Sequence, residues 1–306
     1  MTMAGDPGAR QRDTERRAAY GFLAPAATLI AVFFVLPIVA ALLLSLTDFD
    51  IYAIAAPRTA RLVGLRNYAT LLHTPLFWTA LGNTLYYVAV GGPLSVAVSL
   101  GAALLVDAPL TRWKAAFRAI YFAPVVTTLV AVAVIWKYLY DPRFGLLDYA
   151  LRAVGLPPID WLGNRHWAMP ALILMTVWKN FGYNMLIFVA GLQAIPEDLH
   201  DAARVDGASA IQRFRYVTLP QLGPTFLFVG LTTMIGYTQL FAEPYVMTQG
   251  GPLHATYSII EYLYEEGFRW WRLGYAAAIA FVLFPLILGA TLLQSRLQAR
   301  ARARAA

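Results

Sequence analysis

Long apolar runs free of Asp, Glu, Lys and Arg alternate along this chain with short polar stretches, and their lengths decide how they are read. A helix needs about 20 mostly apolar residues to cross a bilayer. Six runs reach or approach that length: Tyr20–Thr47, one inside Thr74–Val106, Ala119–Trp136, Trp167–Ile195 (interrupted by Lys179), Tyr216–Ala242 and Leu273–Ser295. Pro37, Pro124 and Pro285 fall inside them, which membrane helices tolerate because neighbouring groups satisfy the freed carbonyls. The pattern predicts an all-α integral membrane protein with six transmembrane helices over residues 20–295, flanked by basic tails at 1–19 and 296–306. The first run exceeds the roughly 7 to 15 residues of a signal-peptide core and is expected to stay attached.

Composition agrees with this. The 306 residues are 59% hydrophobic and 13% charged, against about 45 to 50% and about 25% in soluble domains. A net charge of +7 would suit nucleic acid, but the inner loops of a membrane protein need the same excess, and no nucleic-acid partner is expected. Most of the Lys and Arg cluster around Arg10–Arg17, Arg112–Arg118, Arg204–Arg215 and Arg296–Arg304, which alternate with less basic segments. By the positive-inside rule both termini of this multi-pass protein are cytoplasmic. Every Trp except Trp178 falls near a predicted span end, as an aromatic belt requires.

Candidate chemistry is sparse. Zero Cys excludes disulfides and thiolate metal sites, and His73, His166, His200 and His254 are not spaced as a zinc pair. The spans hold no cluster of Asp, Glu or His, so neither a catalytic constellation nor a metal or cofactor is expected. No G-x-x-x-x-G-K-[ST] loop occurs, so the chain does not cradle ATP by that means.

Between the fourth and fifth runs lies a charged, Ala-rich segment, DLHDAARVDGASAIQRFRYVTLP. Pro196 suits a helix start, and Glu197 and Asp198 favour the positive end of its dipole. Gly207 permits a turn, and Ser209 caps a second short helix carrying Ile211, Phe214 and Val217. Two short helices meeting at a glycine form a bracket; the same amphipathic segment is also compatible with lying flat on lipid.

That segment resembles the EAA loop of binding-protein-dependent ABC importer permeases. Asp201, Ala202 and Ala203 stand for Glu-Ala-Ala, Gly207 for the glycine, and Val217, Leu219 and Pro220 for the closing Ile-x-Leu-Pro, with spacing intact. GLRNYATLL, NTLYYV, FRAIYFAPVV, AGLQAIPEDL, MTQGGP and GYAAAIA resemble the carbohydrate-uptake, maltose-type branch in order, over roughly residues 20–295. The resemblance implies a type I importer permease with a cytoplasmic coupling helix pair in the loop 196–220. That loop receives mechanical drive from two ATP-binding cassette ATPases through Asp201, Ala202, Ala203, Arg204, Gly207, Leu219 and Pro220. It implies a second, different permease subunit and an extracytoplasmic sugar-binding protein as partners. The cargo would be a mono- or oligosaccharide; the alternative is a phosphorylated polyol such as a glycerol phosphate compound, with Lys179 pairing the anion.

Lys179 lies about 18 Å along its helix from Trp167, near mid-membrane, where a charge costs at least about 2.5 to 3.5 kcal/mol and must face protein or water. Either it touches cargo in a water-filled path, or it bridges helices or subunits; Glu243, at the outer end of the fifth run, is too shallow to be an obvious partner. By the resemblance, Thr176, Lys179, Asn180 and Tyr183, then Thr233 and Tyr237, line the path. Hydroxyls, amides and an aromatic face suit a sugar. Gly250, Gly251 and Pro252 form a turn in the last outer loop, which turn chemistry alone explains and which the resemblance makes a receptor-docking surface.

Overall fold

The structure is a computed structural model that describes residues 7–56, 59–108 and 110–305, with side chains from Ala18 to Arg296 in those ranges. The basic residues before Ala18 and those beyond Arg296 invoked for orientation lie outside the described side chains, as does Arg58 in one of the less basic segments. Apart from one isolated bridge between Thr47 and Leu62, the regular elements among the described residues are helical. Those used below are, in chain order, α1 (Ala18–Ser45), α2 (Pro75–Asp107), α3 (Lys114–Val126), α4 (Leu129–Leu139), α5 (Leu146–Ala153), α6 (Ala168–Gln193), α7 (Glu197–Val205), α8 (Ala210–Arg213), α9 (Gly223–Thr238), α10 (Ala242–Met247), α11 (Ile259–Tyr264) and α12 (Leu273–Ala305); further short helices, among them Ile51–Ala55 and Arg66–His73, and turns lie between them.

Four of these, α1, α2, α6 and α12, are long and apolar enough to cross a membrane. The expected third span is bent: α3 and α4 meet at 98° and together make at most a fifth crossing. Thr127 and Thr128 adopt extended backbone at the break, and the Thr127 hydroxyl donates to the Pro124 carbonyl at 2.6 Å, competing with the helical ladder. The expected fifth span, Tyr216–Ala242, is likewise divided. A π turn (Phe214–Thr218) leads through Leu219–Gln221 into the 16-residue α9, about 24 Å long and short of a bilayer core of about 30 Å.

The π turns at Ala31–Val35 and Phe214–Thr218 share a cause. In each, the next residue's N–H bonds five residues back, Leu36 to the Ala31 carbonyl and Leu219 to the Phe214 carbonyl. A proline follows immediately, Pro37 or Pro220. Proline supplies no N–H and crowds the carbonyl four residues before it, and the widened turn relieves that clash.

The chain divides into two compact units. One joins the chain up to Ala69 with Glu266–Phe281. Here the polar residues of the GLRNY stretch cap the end of α1: Asn67 Nδ2 donates to the carbonyls of Ser45 (2.9 Å) and Thr47 (2.8 Å), and the hydroxyls of Ser45 and Tyr68 share a 2.6 Å hydrogen bond. The Gly274 N–H donates to the Phe49 carbonyl, an approach that a Cβ on Gly274 would block by striking the Thr47 carbonyl.

The other unit holds Thr70–Glu265 and Val282–Ala306, with α6 as its buried centre. Helices α2, α3 and α9 pack around α6. A Cβ on Gly182 of α6 would run into the Tyr121 backbone carbonyl of α3, so glycine is what lets the two backbones close. Phe188, Met185 and Val189 fill one end of this core with Val229 and Ala103. Toward the other end Trp136, buried, lies against Tyr140 and Trp178, while Trp161 lies against Tyr140 and Trp167. Trp136 is therefore a core residue and not a member of an exposed aromatic belt.

Candidate functional site

A cavity of about 300 Å³ with several polar side chains in its lining opens among α2, α3, α6, α9 and α10. Helical periodicity builds its longest wall: Thr176, Asn180, Tyr183 and Asn184 recur along one face of α6. Thr232, Thr233, Gly236 and Tyr237 form the facing stripe of α9, and Tyr87, Val125 and Glu243 complete the lining from α2, α3 and α10. Asn184 Nδ2 donates to Thr233 Oγ1 at 3.0 Å and Tyr87 donates to Thr176 Oγ1 at 2.6 Å, so polar groups join α6 to both neighbours. The Tyr87 and Tyr237 rings lie 5.1 Å apart, and the Tyr237 ring rests on Gly91, where a Cβ would approach it to 2.7 Å.

Five of the six expected path residues, Thr176, Asn180, Tyr183, Thr233 and Tyr237, line this one cavity; Lys179 does not. It sits buried beside the stripe. Its charge instead interacts with Glu243 through space, without a direct ion pair. Glu243 is thus within electrostatic reach of Lys179. The cause is the break after α9: the chain turns at Gln239 and Leu240, and α10 packs back against α4 and α6, burying Glu243. Sequence reasoning also missed Tyr87 and Asn184, although Asn184 follows Asn180 by one helical turn.

The bracket has the local geometry that its residues dictate. Helix α7 starts after Pro196 with Glu197 and Asp198 in its first turn. Gly207 takes φ +76°, a left-handed conformation that costs other residues roughly 1 to 2 kcal/mol. Ser209 caps α8 through a capping box: its Oγ accepts from Gln212 N, and Gln212 Oε1 accepts from Ser209 N. Asp201 and Arg204 pair with each other at 2.6 Å on an exposed surface; Ala202 is exposed and Ala203 half-buried. Leu219 and Pro220 follow in the π-turn region at the foot of α9.

In the Gly-Gly-Pro loop, Gly250 is buried with φ +75°, and Gly251 and Pro252 are half-buried. The exposed tip is Leu253 and His254. Asn83 Nδ2 of α2 holds this loop by donating to the carbonyls of His254 (2.8 Å) and Tyr257 (3.0 Å). Under Gly250 sits the Glu261 carboxyl, its pKa pushed up to about 7, mainly by burial and further by the neighbouring Glu265, against the lowering effect of the Ser258 backbone. No group of three or more metal-ligating side chains occurs among the described residues.

Comparison with known proteins gives this geometry its context. The lactose transport system permease protein LacF of Rhizobium radiobacter is 34% identical over 89% of this chain and 91% of its own length. The arabinooligosaccharides transport system permease protein AraP of Bacillus subtilis (strain 168) is 32% identical over 93% and 89%. A chain of a bacterial ABC transporter that imports the acidic polysaccharide alginate superposes with a TM-score of 0.77, covering 95% of this chain and 99% of that one; at 22% identity it shows a shared fold, that of a type I ABC importer permease. These are membrane transport components and not enzymes. The family model described as binding-protein-dependent transport system inner membrane component matches residues 23–303, and the chain belongs to that family.

Proposed function

We propose that this chain is a permease subunit of an ATP-driven sugar importer and forms part of its translocation path. The observation that carries this reading is the central cavity: two amides, hydroxyls and aromatic faces converge within an otherwise apolar bundle. Sugars present many hydroxyls and apolar C–H faces, and such a lining matches both. Relatives whose names specify lactose and arabinooligosaccharide transport support a sugar over the glycerol phosphate alternative.

Family membership supports the remaining parts of this reading. Six crossings, including the bent α3–α4 pair and α9 with its flanking turns, leave both termini and the bracket on the cytoplasmic side. The α7–α8 bracket is the EAA-type coupling pair: it docks on an ATP-binding cassette ATPase, and closure of two such ATPases on ATP rocks the bundle. Gly207 sets the angle between the two helices, and the small side chains of Ala202 and Ala203 permit close contact. A second permease subunit, two ATPases and an extracytoplasmic sugar-binding protein complete the importer, with the Leu253–His254 tip and its Gly-Gly-Pro base meeting the binding protein.

The test is ATP-dependent uptake of labelled neutral sugars by cells or proteoliposomes holding the chain with its partner subunits. Uptake that requires this chain and ATP supports the reading. Full uptake by the remaining subunits alone contradicts it.

A further inference from the structure

The sign of the charge on the cavity wall discriminates between kinds of cargo. Among the lining residues the one carboxylate is Glu243, and none carries a basic group. Lys179, on α6, is buried and is not among the lining residues. A charge held inside a membrane bundle requires such a compensating partner, which here stands behind the wall. Cargo entering the cavity therefore meets a hydrogen-bond acceptor and not a cation.

Glu243 is also held in place. It lies buried on α10, which packs against α4 and α6. Its neighbours Phe241 and Tyr245 stack at 5.1 Å, and the Tyr264 ring of α11 closes on both. A fixed carboxylate offers acceptor positions only, which suit the paired O–H donors of neighbouring sugar hydroxyls and repel a second carboxylate or a phosphate.

We infer that Glu243 reads the cargo, accepting hydroxyl hydrogen bonds from an uncharged sugar and rejecting sugar acids and phosphorylated polyols, with Lys179 serving as its counter-charge. This inference rests on the sugar-importer reading above and adds a selecting residue to it.

The experiment uses the assembled importer with its partner subunits, and the probes are radiolabelled lactose, maltotriose, digalacturonate and glycerol 3-phosphate. Uptake, co-purification of the subunits and receptor-stimulated ATP hydrolysis are read together. The expected result is neutral-sugar uptake by the unaltered importer, reduced about tenfold or more in Glu243→Gln, the scale of losing a charge-assisted hydrogen bond. The double variant Lys179→Met/Glu243→Gln removes both charges and so avoids an orphaned ammonium. It stays impaired while assembly and ATP hydrolysis persist. Recovery of the double variant to near the unaltered rate would overturn the inference by reducing Glu243 to a counter-charge, as would equal uptake of digalacturonate or glycerol 3-phosphate by the unaltered importer. If the unaltered importer hydrolyses ATP yet carries neither neutral sugar, the sugar reading itself fails and takes this inference with it.

Discussion

Tyr87 donates its phenolic hydrogen to Thr176 Oγ1 at 2.6 Å, both residues being buried, and this one bond joins α2 to α6 at the wall of the central cavity. Tyr87→Phe leaves the ring packing against Tyr237 but strands the Thr176 hydroxyl, which costs about 1 to 3 kcal/mol. The expected outcome is a lower melting temperature of the purified complex with sugar uptake reduced several-fold. Tyr87→Phe/Thr176→Val, which removes both polar partners, should regain most of the stability but not the uptake, as thermal melts and transport assays on the same preparations will report.

Gly182 and Gly101 provide a matched steric pair. A Cβ at Gly182 collides with the backbone carbonyl of Tyr121, which has no rotamer to escape into, whereas a Cβ at Gly101 meets nothing within 4 Å. Gly182→Ala is therefore expected to separate α3 from α6 and lower complex yield severely. Gly101→Ala should be neutral within about 0.5 kcal/mol or slightly stabilising, since alanine favours helix. Yields and melting temperatures of the two variants, compared side by side, check this.

At Gly207 the relevant quantity is a dihedral angle. With φ at +76° and open space around the Cα, a substitution there is limited by backbone strain and not by collision. Gly207→Val is expected to reorient α8 relative to α7 and abolish ATP-driven uptake with membrane insertion intact. Gly207→Asn, which visits left-handed conformations more readily, should retain a substantial part. Equal uptake in both variants would contradict the hinge role.

The outer loop carries a pH dependence. Burial raises the Glu261 carboxyl from 4.5 to about 7, so the folded state holds its proton more tightly than the unfolded chain. Its contribution is fully favourable below about 4.5 and is lost as pH rises through about 7. Melting temperature of the complex should thus decline over that window. Glu261→Gln should flatten the decline and be the more stable protein at pH 8, as melts across the pH series will show.

Local chemistry was the most legible part of this chain. The proline and acidic residues that begin α7, the left-handed Gly207 and the Ser209 cap depend on neighbours a few residues away, and the structure has them as the residues imply. Five cavity residues were reachable because the family resemblance carried their positions over, and they fall on the facing stripes of α6 and α9. What the apolar runs did not reveal is where they break. Pro124 followed by Thr127 and Thr128 was the available signal for the α3–α4 bend, but Gln239 and Leu240 offer no comparable mark. Treating Tyr216–Ala242 as a straight helix therefore put Glu243 at the membrane surface, and only tertiary packing returns it to the cavity. Tyr87 was hidden for another reason: a tyrosine in a long apolar run shows no polarity until its partner Thr176 is known.

Drive received through the α7–α8 bracket is the central claim, and the absence of native cysteine makes it directly measurable. Ala203→Cys places a unique thiol on that bracket, and a short bifunctional cross-linker can then be applied to membranes containing the whole importer. A covalent adduct with the ATPase subunit, whose yield changes when ATP is bound, is the predicted result. Labelling of the same thiol by a membrane-impermeant reagent from outside intact cells, with no ATPase adduct, would contradict the account.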